Sequence, residues 1–217
     1  MTGRAARCYS GAVPKKYAWL FAVALGVIAA DQVTKYLVLD RLTTALEGGQ
    51  GLSGFLGSAP APGLDGYHYH PAHEYTVSPD FFRLRYAENP GAAFGLFRNV
   101  PDGFRGPLFH LVSIGAVLLI GFYVSRLTGA ANERWARWGL PLVLGGALGN
   151  YVDRLARGFV IDFLEAHWFE KAWWPAFNVA DSAIVVGVGL LIIDSFVRKE
   201  VAAPAKAPEA GAATPGA

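Results

Sequence analysis

The chain has 217 residues, of which 53% are hydrophobic and 17% charged, with a formal net charge of +2 and a mean hydropathy of +0.30. This composition is too apolar for an ordinary soluble domain, and the small positive charge argues against a nucleic-acid partner. The single cysteine, Cys8, excludes an intramolecular disulfide, and we expect it to be a free thiol in a loose N-terminal tail.

Four segments have the length and polarity of membrane helices, which need about 20 mostly apolar residues. They cover residues 17–39, 107–124, 138–152 and 180–197. The third segment is short and rich in glycine, which favours close helix packing over lipid exposure. A cleaved signal peptide is the alternative for the first segment, but apolar residues resume after Asp31 and complete a full-length span.

Basic residues predict the orientation of these spans. They precede the first span, lie between the second and third, and follow the fourth, which places both termini in the cytoplasm. The outer loops are then residues 40–106 and 153–179, although these loops also carry some basic residues. Residues 1–16 form a basic cytoplasmic tail, and residues 199–217 form an Ala/Pro-rich tail that we expect to be disordered.

The first outer loop changes character along its length. Residues 40–80 contain glycine and histidine without clear periodicity, so we expect an irregular segment there. From Phe82, apolar residues alternate with two arginines, which predicts a short strand that ends in a turn at Pro90 and Gly91. In the second outer loop, residues 159–164 (FVIDFL) also have the pattern of a strand.

Polar residues converge on one layer of this predicted topology. Asp31 lies about 21 Å along the first span, in the outer leaflet. Asn150 and Arg154 fall at the outer end of the third span, Asp181 at the outer start of the fourth, and Asp162 in the loop between them. Because a charged side chain at membrane depth costs about 2.5–3.5 kcal/mol, this convergence predicts a functional site.

Four motifs resemble those of the lipoprotein signal peptidases (signal peptidase II), the polytopic aspartic peptidases of bacterial membranes. The motifs are DQVTK at 31–35, YAENPGAAFG at 86–95, GGALGNYVDRLARGFVIDF at 145–163 and FNVAD at 177–181. The resemblance implies a mainly α membrane protein with four transmembrane helices, a small extracytoplasmic β-cradle and a short outer amphipathic helix. It further implies the bacterial inner membrane, with the active site near the outer face.

The resemblance also implies the activity, which is removal of the signal peptide from diacylglyceryl-modified prolipoproteins by cleavage before the lipidated cysteine. By motif position the catalytic pair falls on Asp162 and Asp181, and the supporting or substrate-binding residues are Asp31, Lys35, Asn89, Gly91, Asn150, Arg154 and Asn178. No metal or cofactor is expected. The expected partners are prolipoproteins and membrane lipids, without nucleic acid, and we expect a monomer. The chain departs from the family pattern in a longer 40–80 segment and in its Ala/Pro tail.

Paired aspartates suit peptide hydrolysis because one carboxylate activates water while one carboxylic acid protonates the carbonyl oxygen. Two carboxylates about 3 Å apart share a proton, so their titration belongs to the pair. Asn150 and Asn178 are placed to orient the carboxylates or the scissile backbone. Arg154 is expected to hold the cradle or a lipid phosphate.

Several of these residues have a structural alternative. Asp181 can serve only as a cap of the last helix. Asp31 and Lys35 are four residues apart and can neutralise each other inside the span. Asp153 is expected to be a charge partner of its neighbour Arg154 rather than a third catalytic acid.

Other patterns suggest chemistry that we disfavour. The histidines His68, His70 and His73 lack the spacing of a zinc peptidase helix, so a solvated loop is preferred over a metal site. The sequence GLSG at 51–54 imitates a serine peptidase motif, but it lies in a polar loop without a helical setting. The tryptophans of the second outer loop are expected to be interface anchors, namely Trp168, Trp173 and Trp174. The alternative function is a small transporter or channel subunit that uses the aspartates as a proton relay.

Overall fold

The computed structural model describes residues 15–46, 51–57, 59, 61–64, 66–91, 102–128, 130, 133–169 and 171–202. Five helices occur in this part of the chain: α1 (Lys15–Leu42), α2 (Gly51–Leu56), α3 (Asp102–Arg126), α4 (Arg134–Arg157) and α5 (Val179–Ala202). Four strands accompany them: β1 (Glu74–Ser78), β2 (Phe82–Asn89), β3 (Val160–Trp168) and β4 (Ala172–Trp173). Cys8 and nearly all of both predicted tails lie outside the described residues.

Three of the described helices are long and apolar enough to cross a membrane. They are Tyr17–Leu42 in α1, Gly106–Arg126 in α3 and Val179–Arg198 in α5. α4 has 24 residues, so it is long enough at about 36 Å. Its sequence is less apolar, because charged residues occupy both of its ends. The fourth predicted span therefore stays a prediction.

α4 is the central helix and contacts α1, α3 and α5. Its glycines allow this close packing. A Cβ at Gly146 would collide with the carbonyl oxygen of Ala180, at the start of α5. A Cβ at Gly139 would lie 2.8 Å from the carbonyl oxygen of Gly187. The predicted preference of this segment for helix contacts is thus confirmed, and it brings the polar end of α4 against the start of α5.

The strands form one antiparallel sheet in the order β1-β2-β3-β4. β2 and β3 confirm the two strands that the sequence predicts. Ala87 pairs with Asp162, and Asn89 pairs with Val160, after a register shift between Leu84 and Ala87. β3 follows α4 after a turn at Gly158, which has a left-handed φ of 83°. β3 therefore begins directly after the polar end of α4.

The prediction of an irregular 40–80 segment is wrong in part. Residues Gly51–Leu56 form the short helix α2, and β1 begins at Glu74. Thr43 also makes an isolated antiparallel bridge with Pro71. Phe55 of α2 and Tyr69 belong to a buried apolar cluster between the end of α1 and the sheet. Aromatic side chains bury a large apolar area, which is the physical reason for the order of this segment.

Candidate active site

Asp162 and Asp181 line the same cleft, which has a volume of about 730 Å³. Asp162 lies on β3 and is only 2% exposed. Asp181 lies in the first turn of α5. The two carboxylates thus come from a strand and a helix and line one cleft, in agreement with the predicted convergence of polar residues.

Three asparagine side chains hold these two carboxylates. Asn178 donates from Nδ2 to Oδ1 of Asp162 at 2.8 Å, and Asn89 donates to its Oδ2 at 2.9 Å. Asn150 donates from Nδ2 to Oδ1 of Asp181 at 2.8 Å. Amide donors orient a carboxylate without adding charge, so each aspartate has a fixed direction towards the cleft.

Asp181 makes the capping contacts at the start of α5 that its structural alternative predicts. Asn178 accepts the backbone N–H of Asp181 at 2.9 Å, and Asp181 accepts the backbone N–H of Asn178 at 3.2 Å. This reciprocal pair is a capping box in which Asn178 is the cap and Asp181 the third helical residue. Asp181 therefore uses Oδ2 for the helix terminus and presents Oδ1 to Asn150.

Burial, together with the negative charge of Asp181, raises the pKa of Asp162 from 3.8 to about 7. The hydrogen bond from Asn89 and the charge of Lys35 act in the opposite direction. A carboxyl group with such a pKa is still about half protonated at pH 7. The site can therefore offer one carboxylic acid and one carboxylate at the same time, which is the pair that peptide hydrolysis requires.

A buried charge network lies behind the carboxylates. Lys35 is fully buried, and its Nζ lies 2.8 Å from Oδ2 of Asp31 and 2.8 Å from Oδ2 of Asp153. The third contact of this ammonium group is Oδ1 of Asn150, at 3.1 Å. Since an ammonium group has three donors, all of them are satisfied. The expected ion pair of Asp31 with Lys35 is confirmed, and it joins a larger network.

The expected pairing of Asp153 with Arg154 is wrong. Asp153 accepts hydrogen bonds from Arg157 at 3.0 Å and from the backbone N–H of Ile161 at 3.1 Å. The physical reason is helix geometry, because residues four apart share a face of α4 and adjacent residues do not. Ile161 immediately precedes Asp162, so Asp153 also fixes the backbone of β3 beside the candidate acid.

Arg154 instead holds the end of β2. Its guanidinium donates to the carbonyl oxygen of Gly91 at 2.9 Å and lies 4.0 Å from the ring centroid of Phe109. Gly91 in turn donates its N–H to Oδ1 of Asn89 at 3.0 Å. This contact leaves Nδ2 of Asn89 directed at Asp162. The remainder of the GAAFG run lies outside the described residues.

Sequence reasoning missed Gln32 as a member of the site. Its Nε2 lies 3.2 Å from Oδ2 of Asp31, 3.2 Å from the carbonyl oxygen of Gly149 and 3.1 Å from Oδ1 of Asp153. Gln32 stands inside the DQVTK motif, and this position was the one available indication of its role. Asp31 also accepts the backbone N–H of Ala180 at 3.0 Å, which links α1 to the start of α5.

The disfavoured patterns have other positions in the structure. His68 lies 2.6 Å from Glu88, and no cluster of metal ligands occurs in the part of the chain that the structure describes. The loop setting predicted for GLSG is wrong, because these residues begin α2, where Phe55 anchors them. Trp173 and Trp174 line the cleft, and Trp168 lies at the end of β3. All three side chains are exposed. Their role as interface anchors stays a prediction.

Comparison with known proteins gives a consistent result for most of the chain. The model of a family described as signal peptidase (SPase) II matches residues 23–197. A lipoprotein signal peptidase of Anaeromyxobacter sp. (strain Fw109-5) is 45% identical over 188 residues, which cover 82% of this chain and 84% of that protein. A lipoprotein signal peptidase of Pseudomonas syringae pv. tomato is 34% identical and covers 85% of this chain and 89% of its own length. A bacterial membrane enzyme solved at 2.3 Å by the in meso method shares the fold, with a TM-score of 0.62, 23% identity, and coverage of 87% of this chain and 94% of that one.

Proposed function

The chain belongs to the signal peptidase II family, and on that premise we propose that Asp162 and Asp181 are the catalytic pair of this enzyme. The protein is an aspartic peptidase that removes signal peptides from lipoprotein precursors. The alternative of a transporter with a proton relay has no support among its relatives. The observation that carries the residue assignment is the shared cleft, in which two carboxylates are held by separate amide donors.

In this proposal the two aspartates divide the acid and base roles. Asp181 takes a proton from the attacking water, and Asp162 donates its proton to the carbonyl oxygen of the scissile bond. The pKa of about 7 supports Asp162 as the protonated partner. Asn89, Asn150 and Asn178 act as positioning residues, since their amides hold the carboxylates in place while the charges change.

The remaining supporting residues act at a greater distance from the reacting atoms. Lys35 and Asp31 hold the amide of Asn150 and the start of α5 through buried contacts. Arg154 holds Gly91, and with it the end of β2. These roles follow from direct hydrogen bonds, so each substitution should act by moving a carboxylate rather than by removing a reacting group.

We further propose how the substrate reaches the site. The diacylglyceryl chains and the signal segment lie in the bilayer, and the scissile bond enters the cleft laterally at the outer membrane surface. Three apolar helices, Tyr17–Leu42, Gly106–Arg126 and Val179–Arg198, support a membrane location, with the inner membrane, cytoplasmic termini and a monomer as parts of the proposal.

Cleavage of a purified diacylglyceryl-modified prolipoprotein in detergent tests the assignment. Wild type should cleave before the lipidated cysteine in the presence of EDTA, and Asp162→Asn and Asp181→Asn should each lose at least about 10³-fold in rate. Asp80→Asn is the matched control, because Asp80 is exposed in the turn before β2. Cleavage at the wild-type rate by either site variant would contradict the proposal.

A further inference from the structure

The cleft that contains the two aspartates continues onto one face of α5. Three of its lining residues, Ser182, Val185 and Val186, follow Asp181 on this helix. Val185 is 71% exposed and Val186 is 55% exposed. These exposed valines therefore continue the apolar part of the cleft wall, which also contains Trp173, Trp174 and Phe177, along α5.

The same helical face extends away from the cleft. Gly189, Ile192 and Ile193 follow Val185 and Val186 at spacings of three and four residues, which place them in one stripe. Ile192 and Ile193 are 53% and 42% exposed. We call these residues the α5 face: Ser182, Val185, Val186, Gly189, Ile192 and Ile193. From Ser182 to Ile193 this face is about 16 Å long.

Two glycines of α5 have opposite surroundings. A Cβ at Gly187 would lie 2.8 Å from the carbonyl oxygen of Gly139, so packing against α4 explains this glycine. A Cβ at Gly189 would meet nothing within 4 Å. Packing against the described residues therefore does not explain the glycine at position 189. The absence of an explanation is notable because glycine weakens a helix. On a membrane helix, a missing side chain permits close approach of another helix.

An open glycine alone does not mark a docking surface, as α3 demonstrates. A Cβ at Gly115 of α3 would also meet nothing within 4 Å, and the neighbouring Ile114 and Leu118 are exposed. However, no α3 residue is among the described residues that line the cleft. Continuity with the candidate catalytic pair therefore distinguishes the α5 face from other lipid-facing surfaces.

We propose that the α5 face binds the apolar helical segment of the prolipoprotein signal peptide. This inference rests on the proposed function and specifies the surface that the substrate uses. A helix lying along this face ends at Ser182, beside Asp181, where the chain can continue in extended form towards Asp162. Because lipid tails are as apolar as the helix, close packing at Gly189 rather than hydrophobic burial supplies the affinity.

Gly189→Leu fills the centre of the α5 face, and Gly115→Leu is the matched control on α3. Each variant is assayed with a full-length diacylglyceryl prolipoprotein and with a short lipopeptide that lacks the apolar segment. For Gly189→Leu we expect the ratio of kcat/KM for the long substrate to kcat/KM for the short substrate to fall about tenfold, mainly through KM. For Gly115→Leu the ratio should stay at the wild-type value. An unchanged ratio in Gly189→Leu, or an equal fall in both variants, would overturn the inference.

Cross-linking separates this inference from the proposed function. A photoreactive residue at position 193 should cross-link to the signal segment in Asp162→Asn protein, and one at position 118 of α3 should not. The readout needs binding only, so it remains informative even if the wild-type enzyme cleaves neither substrate, which would contradict the proposed function alone. Equal cross-linking from both positions would show general lipid-phase contact and overturn the α5 assignment.

Discussion

The ammonium group of Lys35 lies 3.1 Å from Oδ1 of Asn150 and, together with the amide of Asn178 at 3.0 Å, determines which way the Asn150 amide faces. Because Lys35 has only donors, it binds the oxygen of Asn150 and leaves the NH₂ group for Asp181. A lysine in α1 thus orients a carboxylate of the proposed catalytic pair in α5 without touching it. This relationship makes the buried network part of the proposed catalytic machinery as well as a structural element.

Replacing Lys35 by methionine should destabilise the protein and lower its activity. The change leaves Asp31 buried without its cation and Asp153 with Arg157 alone, which costs about 3–5 kcal/mol. Thermal unfolding in detergent measures this loss. Arg41→Met is the control, because the Arg41 side chain is 78% exposed and its ion pair contributes little. Equal stability of the two variants would contradict the role of the network.

The rate of cleavage should fall as the pH rises through about 7, since the pKa of Asp162 is raised to about 7 and its acid form is required. Between pH 3.8 and about 7 the Asp162 carboxyl keeps a proton in the native state that it loses in the unfolded state. Its contribution to the free energy of unfolding therefore decreases as the pH rises through this range. The pH profile of kcat/KM measures the alkaline limb. A flat profile between pH 6 and about 9 would argue against this assignment of the acid.

Asn89→Ala should move that alkaline limb to higher pH. Asn89 donates to Oδ2 of Asp162, and this hydrogen bond lowers the pKa of the carboxyl by favouring its ionised form. Removing the donor therefore raises the pKa of Asp162 further. The normalised pH profile is the readout, with Asp80→Asn as the control that should retain the wild-type limb. A limb displaced to lower pH would contradict the contact.

Gly146→Ala should separate α4 from α5 and destabilise the protein by about 1–3 kcal/mol. The added methyl group would collide with the carbonyl oxygen of Ala180 and lie 2.7 Å from Cγ1 of Ile184. Since Ala180 adjoins Asp181, cleavage should fall as well. Gly121→Ala, which adds a methyl group where nothing lies within 4 Å, should leave both quantities near their wild-type values. Chemical denaturation and the cleavage assay provide the comparison.

Glu88→Ala should release residues 68 and 69 from the sheet. Glu88 accepts from the backbone N–H groups of His68 at 2.8 Å and Tyr69 at 3.1 Å, and from the hydroxyl of Tyr86 at 2.8 Å. Burial holds the pKa of the Tyr86 phenol well above its usual range, so this hydroxyl remains a donor. An alanine leaves these three donors without their acceptor, which costs about 1–3 kcal/mol.

Hydrogen exchange over residues 67–73 measures that release. Glu74→Ala is the matched control, because the Glu74 side chain is 53% exposed and lies 3.7 Å from Arg83. Faster exchange in Glu88→Ala, with little change in Glu74→Ala, is the expected result. Unchanged protection in both variants would show that apolar packing around Tyr69 alone holds the segment.

The sequence predicts the parts of this molecule that depend on local patterns. Alternation from Phe82 predicts β2, and the FVIDFL pattern predicts β3. The motif positions predict three of the residues that line the cleft, Asn89, Asp162 and Asp181. Short-range spacing also predicts the contact between Asp31 and Lys35, because helix geometry alone places residues four apart on one face.

The rest depends on how helices rotate against each other, which no local pattern specifies. Asp153 is adjacent to Arg154 in sequence. Its ion-pair partner on α4 is nevertheless Arg157, which lies on the same face of the helix. Its contact with Lys35 needs the packed arrangement of α1 and α4. The attachment of His68 to Glu88 likewise joins two segments that carry no shared motif. α2 was missed because six residues are too few to show a periodic pattern.

Three helices each carry an acid followed four residues later by its own cation, at 2.8 Å, 3.0 Å and 2.6 Å in Asp31–Lys35, Asp153–Arg157 and Asp194–Arg198. During biosynthesis α1 emerges long before α4, so Lys35 cannot yet meet Asp153. The pair within each helix removes most of the penalty that a lone charge would incur on entering lipid. Each of these acids therefore has a cation on its own helix before the helices pack together, whereas the contact of Lys35 with Asp153 forms at assembly.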